Sequence, residues 1–124
     1  MSDQRQAMGL AGEKLAEKLL RKNGLRIVAR RFAVPGGEID LVARRRDTLV
    51  FVEVKCRRDS NWTEPEQAVN LGKQRRMTRA AKAFVRGKRL EHMPCRFDIV
   101  AVVLPENGKP AMTHFEDAFA PESW

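Results

Sequence analysis

Two short segments carry the residue types best suited to chemistry. Gly37–Leu41 reads GEIDL and Val50–Lys55 reads VFVEVK, so Asp40, Glu53 and Lys55 form a D-x12-E-x-K series. Side chains alternate faces along a strand, which puts Leu49, Phe51, Glu53 and Lys55 on one side and Val50, Val52 and Val54 on the other. A hairpin closed by a two-residue turn at Arg46-Asp47 then sets Asp40 across from Glu53 and Glu38 across from Lys55. Two opposed carboxylates repel each other unless a cation lies between them. With a main-chain carbonyl and water they make an oxygen ligand set for a hard divalent ion, Mg²⁺ or Mn²⁺, and Lys55 can orient or help deprotonate an attacking water. Phosphodiester hydrolysis requires those parts. The competing reading is ordinary surface charge on a half-exposed strand.

The elements that must hold these residues follow from periodicity. Met8, Ala11, Leu15, Ala16, Leu19 and Leu20 recur at helical spacing between Ala7 and Asn23, and Asn23-Gly24 is a stop signal. LRIVARRF reads as a strand, Pro35-Gly36-Gly37 as a turn, EIDLVA and LVFVEVK as the next two strands, and 56–63 as a polar loop carrying Trp62. Thr63, Pro65 and Glu66 resemble a helix start, and the helical pattern restarts after Leu71-Gly72 and runs to Gly87. CRFDIVAVVL is a fourth strand, Asn107-Gly108 a turn, and AMTHF a short edge strand before an acidic tail. The order α-β-β-β-α-β-β predicts an α/β or α+β domain over residues 1–124, with 1–6 and 118–124 frayed. The helix between strands three and four is long enough for a parallel crossover, so the sheet is mixed.

In this order the motifs GEIDL, VFVEVK and RFD at Arg96–Asp98 resemble the YraN-like family of uncharacterised bacterial proteins. That family is placed in the restriction-endonuclease-like superfamily with the PD-(D/E)xK signature, alongside archaeal Holliday-junction resolvases. The resemblance runs from Gly12-Glu13 to Asp117-Ala118-Phe119. It implies an α/β restriction-endonuclease-like fold with a central mixed sheet of about five strands. It also implies that Asp40, Glu53 and the carbonyl of Val54 hold Mg²⁺ or Mn²⁺, that Lys55 assists the nucleophilic water, and that Glu13 reaches the site from the first helix. Gln67 is similar to a polar residue that superfamily members bring to the site. The implied activity is a metal-dependent endonuclease acting on DNA, with branched or structured DNA preferred; the alternative is a nucleic-acid-binding module that keeps the fold without catalysis. Family members usually have an Asn and an Arg just before GEIDL, where this chain reads Arg31-Phe32-Ala33-Val34-Pro35-Gly36.

The wheel of the first helix puts Glu13 at the edge of its apolar stripe near Leu20, a position open to a site role or to solvent. On the second long helix Lys73 falls on the apolar stripe of Met77, Ala80, Ala81 and Phe84, at the positive end of the helix dipole. A lysine there either snorkels or meets an anion. Arg75, Arg79, Lys82 and Arg86 cluster opposite, as a solvated face or as a surface tracking a nucleic-acid backbone. Glu38 either stabilises the turn or pairs with Lys55, Asp98 makes a structural salt bridge or serves the site, and Trp62 packs on its own domain or stacks on a base.

Twenty-four Lys and Arg against sixteen Asp and Glu leave a net charge of +8, which favours a polyanionic partner and specifies no chemistry. Eight of those bases and no acid lie in 73–89, so the charge is a local surface rather than a coat. Cys56 and Cys95 stand alone, which argues against a disulfide framework or a cysteine zinc site. His92 and His114 are likewise isolated, against zincin, HNH and histidine-triad chemistry. With no secretory h-region and no spanning helix in view, the expected location is cytoplasmic, with DNA as partner and no membrane. A homodimer fits a four-way junction, which needs two cutting sites, although no sequence feature specifies an interface.

Overall fold

In the computed structural model, residues 2–59, 69–122 and 124 are described, with side chains from residue 9 onward. The elements are α1 (Ser2–Lys22), β1 (Arg26–Val34), β2 (Gly37–Arg45), β3 (Thr48–Arg57), α2 (Leu71–Lys88), β4 (Cys95–Val103) and β5 (Ala111–Phe119). The five strands form one mixed sheet in the order β1-β2-β3-β4-β5, in which only β3 and β4 run parallel. Helix α2 is the crossover that makes this parallel pair possible, as the α-β-β-β-α-β-β order requires.

Alternation along the strands divides the core into two layers. Ile39, Val42, Leu49, Phe51 and Phe97 pack with Met77, Ala80, Ala81 and Phe84 of α2. Leu41, Ala43, Val50, Val52, Val100 and Val102 pack with Ala16 and Leu20 of α1. The central strands are therefore apolar on both faces, which is why β3 and β4 read as near-continuous hydrophobic runs. Polar chemistry on them is confined to the strand ends and to positions where the alternation breaks.

The turns are those the sequence signals. Pro35-Gly36 joins β1 to β2 with Gly36 at φ 79°, a conformation that suits the glycine of a Pro-Gly turn. The two-residue turn Arg46-Asp47 closes β2 on β3, with Arg46 at φ 56°. α2 begins at Leu71, because Asn70 is extended (φ −64°, ψ 159°) and its side chain accepts the main-chain N–H of Lys73 at 2.8 Å. The helix start expected at Thr63, Pro65 and Glu66 lies outside the described residues.

Both ends of the chain are more regular than the sequence suggests. α1 is helical from Ser2, and β5 continues past Phe115 to Phe119. Its continuation depends on a bulge at Asp117 (φ 51°), which breaks the alternation that would have revealed the strand.

At Gly37 the sheet backbone comes close to α2. A Cβ there would lie 2.6 Å from the Arg76 carbonyl oxygen and 2.9 Å from the Ala80 nitrogen, both main-chain atoms that no rotamer change can move. Gly37→Ala is therefore expected to destabilise the fold by about 1–3 kcal/mol, as overpacked sites do. Urea unfolding checks this, and an unchanged midpoint would show that α2 can shift without cost.

Candidate active site

The β2–β3 ladder runs from Arg45↔Thr48 to Leu41↔Val52, the register expected of the two-residue turn. It ends there, and Asp40 does not take its place opposite Glu53 as a ladder pair. The cause is a kink. Ile39 belongs to the layer under α2 and Leu41 to the layer under α1, whereas residues two apart on a regular strand share a face. The same change occurs in β1, where Arg31 has φ 49° and sits between the pairs Arg30↔Leu41 and Phe32↔Ile39, opposite Asp40.

The kink brings the Asp40 carboxylate toward β3, where Oδ2 accepts the main-chain N–H of Val54 at 2.8 Å. A side-chain oxygen thus replaces the main-chain acceptor that β2 no longer offers, and Asp40 is fixed beside the C-terminal end of β3. Glu38 is also displaced from its expected place. It pairs in register with Ala33, and its carboxylate lies 3.6 Å from Lys73 Nζ rather than across from Lys55.

Glu53 follows Phe51 on the α2 side of β3, and its side chain is only 12 % exposed. Burial, followed by the charge and hydrogen-bonding demand of Asp40, pushes its carboxyl up to about 8, with Lys73 opposing the shift. Oε2 has Lys73 Nζ at 3.3 Å, while Oε1 is buried without a hydrogen-bond partner. Two ionised carboxylates offer each other only acceptors, so the Asp40–Glu53 contact is satisfied by a shared proton or by a cation.

Lys73 occupies the first turn of α2, its side chain 20 % exposed and its ammonium between Glu53 and Glu38. Of the two roles open to it in the sequence, the anion contact is the one the structure has. Lys55 sits two residues beyond Glu53 on β3, half-buried. Glu13 accepts a hydrogen bond from Arg31 Nε at 3.0 Å. Because Arg31 lies opposite Asp40, Glu13 is one residue removed from the carboxylate pair; with Gly9, Leu10 and Arg31 it lines a hollow of about 410 Å³. Among the described residues, no group of three or more His, Cys, Asp and Glu side chains converges on one point where a metal ion could bind. Gln67 and Trp62 fall outside the described residues. Arg75, Arg79 and Arg86 are exposed on α2, Lys82 is half-buried, and Arg75 pairs with Glu122 at 2.8 Å.

Asp98 is fully buried and belongs to a different cluster. Its carboxylate accepts from Arg96 Nε (2.8 Å), Arg96 Nη2 (2.9 Å) and the Asp117 N–H (2.9 Å), and His114 Nε2 lies 2.7 Å away. His114 Nδ1 is 2.9 Å from Asn23 Nδ2, so the tautomer with its proton on Nε2 satisfies both ring nitrogens. Of the two sequence readings of Asp98, the salt bridge is the one present. Sequence reasoning missed His114 and Asn23 as partners, because nothing local marks residues 91 positions apart as neighbours.

Fold and site together define an α/β protein with a five-stranded mixed sheet between two helices, a carboxylate pair at a strand kink, and a helix-borne lysine against it. Among the described residues no helix is long and apolar enough to cross a membrane. The family model for uncharacterised protein family UPF0102 matches residues 12–102, from the middle of α1 into β4, and the chain belongs to that family. A UPF0102 protein of Syntrophotalea carbinolica is 39% identical over 124 residues, covering all of both chains. One from Geobacter sulfurreducens is 40% identical over 112 residues, 90% of this chain and 88% of its own. Another from Symbiobacterium thermophilum is 41% identical over 112 residues, 90% of this chain and 95% of its own. The expectation of an uncharacterised bacterial family is met at that level.

Proposed function

We propose that the protein is a restriction-endonuclease-like, divalent-metal-dependent enzyme that hydrolyses DNA phosphodiester bonds, with branched or structured DNA as its preferred substrate. One observation carries the reading: Asp40 and Glu53 converge at the β2 kink, and a buried oxygen of Glu53 is left without a hydrogen-bond partner. A purely structural site gains nothing from that arrangement, since an unpartnered buried acceptor and two adjacent carboxylates are both destabilising. A hard cation removes both costs, and the all-oxygen donor set fits Mg²⁺ or Mn²⁺.

Asp40, Glu53 and the carbonyl of Val54 are the residues that would hold the ion. When bound, the ion supplies Lewis-acid neutralisation of the charge that builds on the phosphoryl oxygens. The rest is done by the chain. Lys55, on the same side of β3 as Glu53, orients the attacking water. Lys73, at the positive end of α2, balances the carboxylates and meets the scissile phosphate once Glu53 is engaged elsewhere. The Val54 N–H fixes the rotamer of Asp40, so the pair is in place before substrate arrives.

A second reading, a nucleic-acid-binding module without catalysis, is favoured by the Lys73–Glu53 contact at 3.3 Å, where an ammonium already sits against the carboxylate. One experiment separates the two. A panel of linear, nicked and branched DNA is incubated with the protein in Mg²⁺ or Mn²⁺, alongside Asp40→Asn and Glu53→Ala. Asn at position 40 keeps an acceptor for the Val54 N–H while losing the charge. Each variant is expected to cut at least about a hundredfold more slowly, the order of loss when a group acting on transition-state charge is removed. Equal cutting by wild type and variants sinks the catalytic reading. Binding without cutting under every divalent ion favours the second.

A further inference from the structure

The outer face of α2 and the β1–β2 turn enclose a groove of about 510 Å³, whose walls include Gly36, Arg75, Arg76, Arg79, Lys82 and Glu122. Arg75, Arg79 and Lys82 are spaced i, i+4, i+7 and so line one face of the helix over about 10 Å, the axial rise of roughly three nucleotides of a duplex strand. Arg79 lies flat across the turn: a Cβ on Gly36 would meet its Nη1 at 3.1 Å and its Cδ at 3.3 Å. Among the described residues no carboxylate stands within ion-pair distance of Arg76, Arg79 or Lys82, and the one anion in the groove is Glu122, 2.8 Å from Arg75 Nε. Two residues beyond Glu122, the half-exposed Trp124 ring lies against Phe97 and Phe51, with centroids 6.0 and 6.4 Å apart. Along the chain the groove's residues neighbour those of the carboxylate site. Arg76 is one turn along α2 from Lys73, and Gly36 is two residues from Glu38, both of which face Glu53 or its lysine.

We propose that this groove is the track for a nucleic-acid phosphodiester backbone, and that Glu122 is an internal competitor whose carboxylate stands where a phosphate oxygen binds. The proposal rests on reading the neighbouring carboxylate site as one for a phosphodiester, and adds where the backbone runs and what it must displace. Cations at i, i+4 and i+7 suit a repeating anion better than a single carboxylate, which satisfies only one of them. Each phosphate that enters releases condensed counterions, so binding through the groove is salt-dependent.

The test is fluorescence anisotropy of a labelled DNA duplex and a labelled four-way junction, with chelator present so that cutting does not intervene. The full chain is compared with Arg79→Gln/Lys82→Gln and with Glu122→Gln. The double variant is expected to bind about tenfold more weakly at moderate salt and to lower the slope of log affinity against log salt by about 2. Glu122→Gln is expected to bind up to about fivefold more tightly, the gain from releasing one exposed ion pair. An unchanged slope and affinity in the double variant, with an unchanged melting temperature, overturns the track, as does failure of the wild type to bind either DNA. Unchanged affinity in Glu122→Gln overturns the competitor. Normal cutting by a double variant that binds normally refutes the groove and leaves the nuclease reading standing; groove-dependent binding without cutting in Mg²⁺ or Mn²⁺ does the reverse.

Discussion

Asp98→Ala is expected to lower the stability of the fold by about 3–5 kcal/mol, the range for stripping one partner from a buried ion pair. For a chain of this size that is a fall in melting temperature of roughly 10–25 °C. The carboxylate accepts four hydrogen bonds that tie β4 to itself, to the β5 bulge and, through His114 and Asn23, to the end of α1. Its removal leaves the Arg96 guanidinium, 20 % exposed, the buried His114 ring and the Asp117 main-chain N–H without their acceptor. The pH dependence has a definite sign. Although burial raises the carboxyl of Asp98, the hydrogen bonds from His114, Arg96 and the Asp117 N–H outweigh it and hold the group below its ordinary 3.8. Its stabilisation is therefore complete above that ordinary value and is lost as pH falls below it through the depressed folded value. Circular-dichroism melts of wild type and variant should converge in strong acid. A loss below about 1 kcal/mol at neutral pH would mean that Arg96 and His114 find other partners, and that the β4–β5 ladder and packing hold this edge without Asp98.

That cluster also shows where the reach of the sequence ends. Element order, the two turns, the mixed sheet and the division of β3 into two faces were all legible, because each depends on local period or on a Pro, Gly or Asx signal. The register of β2 on β3 was legible for the same reason, and holds for five pairs. It fails at Asp40, on which the proposed chemistry depends, because Arg31 and Asp40 change face together. A paired kink leaves no trace in alternation counted along one strand. Lys73 was legible as a cation on an apolar stripe, since such a residue needs an anion to face. A site carboxylate was among the anions that reading offered, and Glu53 is the one; Glu38 was not, because it reaches Lys73 only once the kink has turned β2 toward α2. Asp98 and His114 lie on neighbouring strands joined through a bulge, and no spacing rule connects them.

Glu53→Gln is expected to stabilise the metal-free protein at high pH, a reversal of the usual effect of removing a buried ion-paired carboxylate. The folded state keeps the Glu53 proton up to about pH 8, while the unfolded chain releases it near 4.5. Between those values the native state binds more protons than the unfolded one, so stability falls as pH rises, at up to about 1.4 kcal/mol per pH unit. Below 4.5 both states are protonated and the term vanishes; above about 8 the penalty is complete, on the order of several kcal/mol. Glutamine cannot ionise, and its amide supplies Asp40 with the donor that an ionised Glu53 lacks. The advantage of the variant should thus be near zero at pH 4.5 and greatest above pH 8. Divalent ions should act in the opposite sense. At about a hundred times its dissociation constant, Mg²⁺ or Mn²⁺ adds roughly 2.7 kcal/mol to the state that binds it, and the gain should appear in wild type at pH 8 and be lost in Glu53→Gln. Melting temperatures across pH 4.5–9, with chelator and with each ion, measure both effects without reference to cutting. Parallel pH profiles for the two proteins would mean that Glu53 titrates like any surface carboxylate. An equal metal response in both would move the ion away from Asp40 and Glu53, and the hydrolytic reading would lose the observation that carries it.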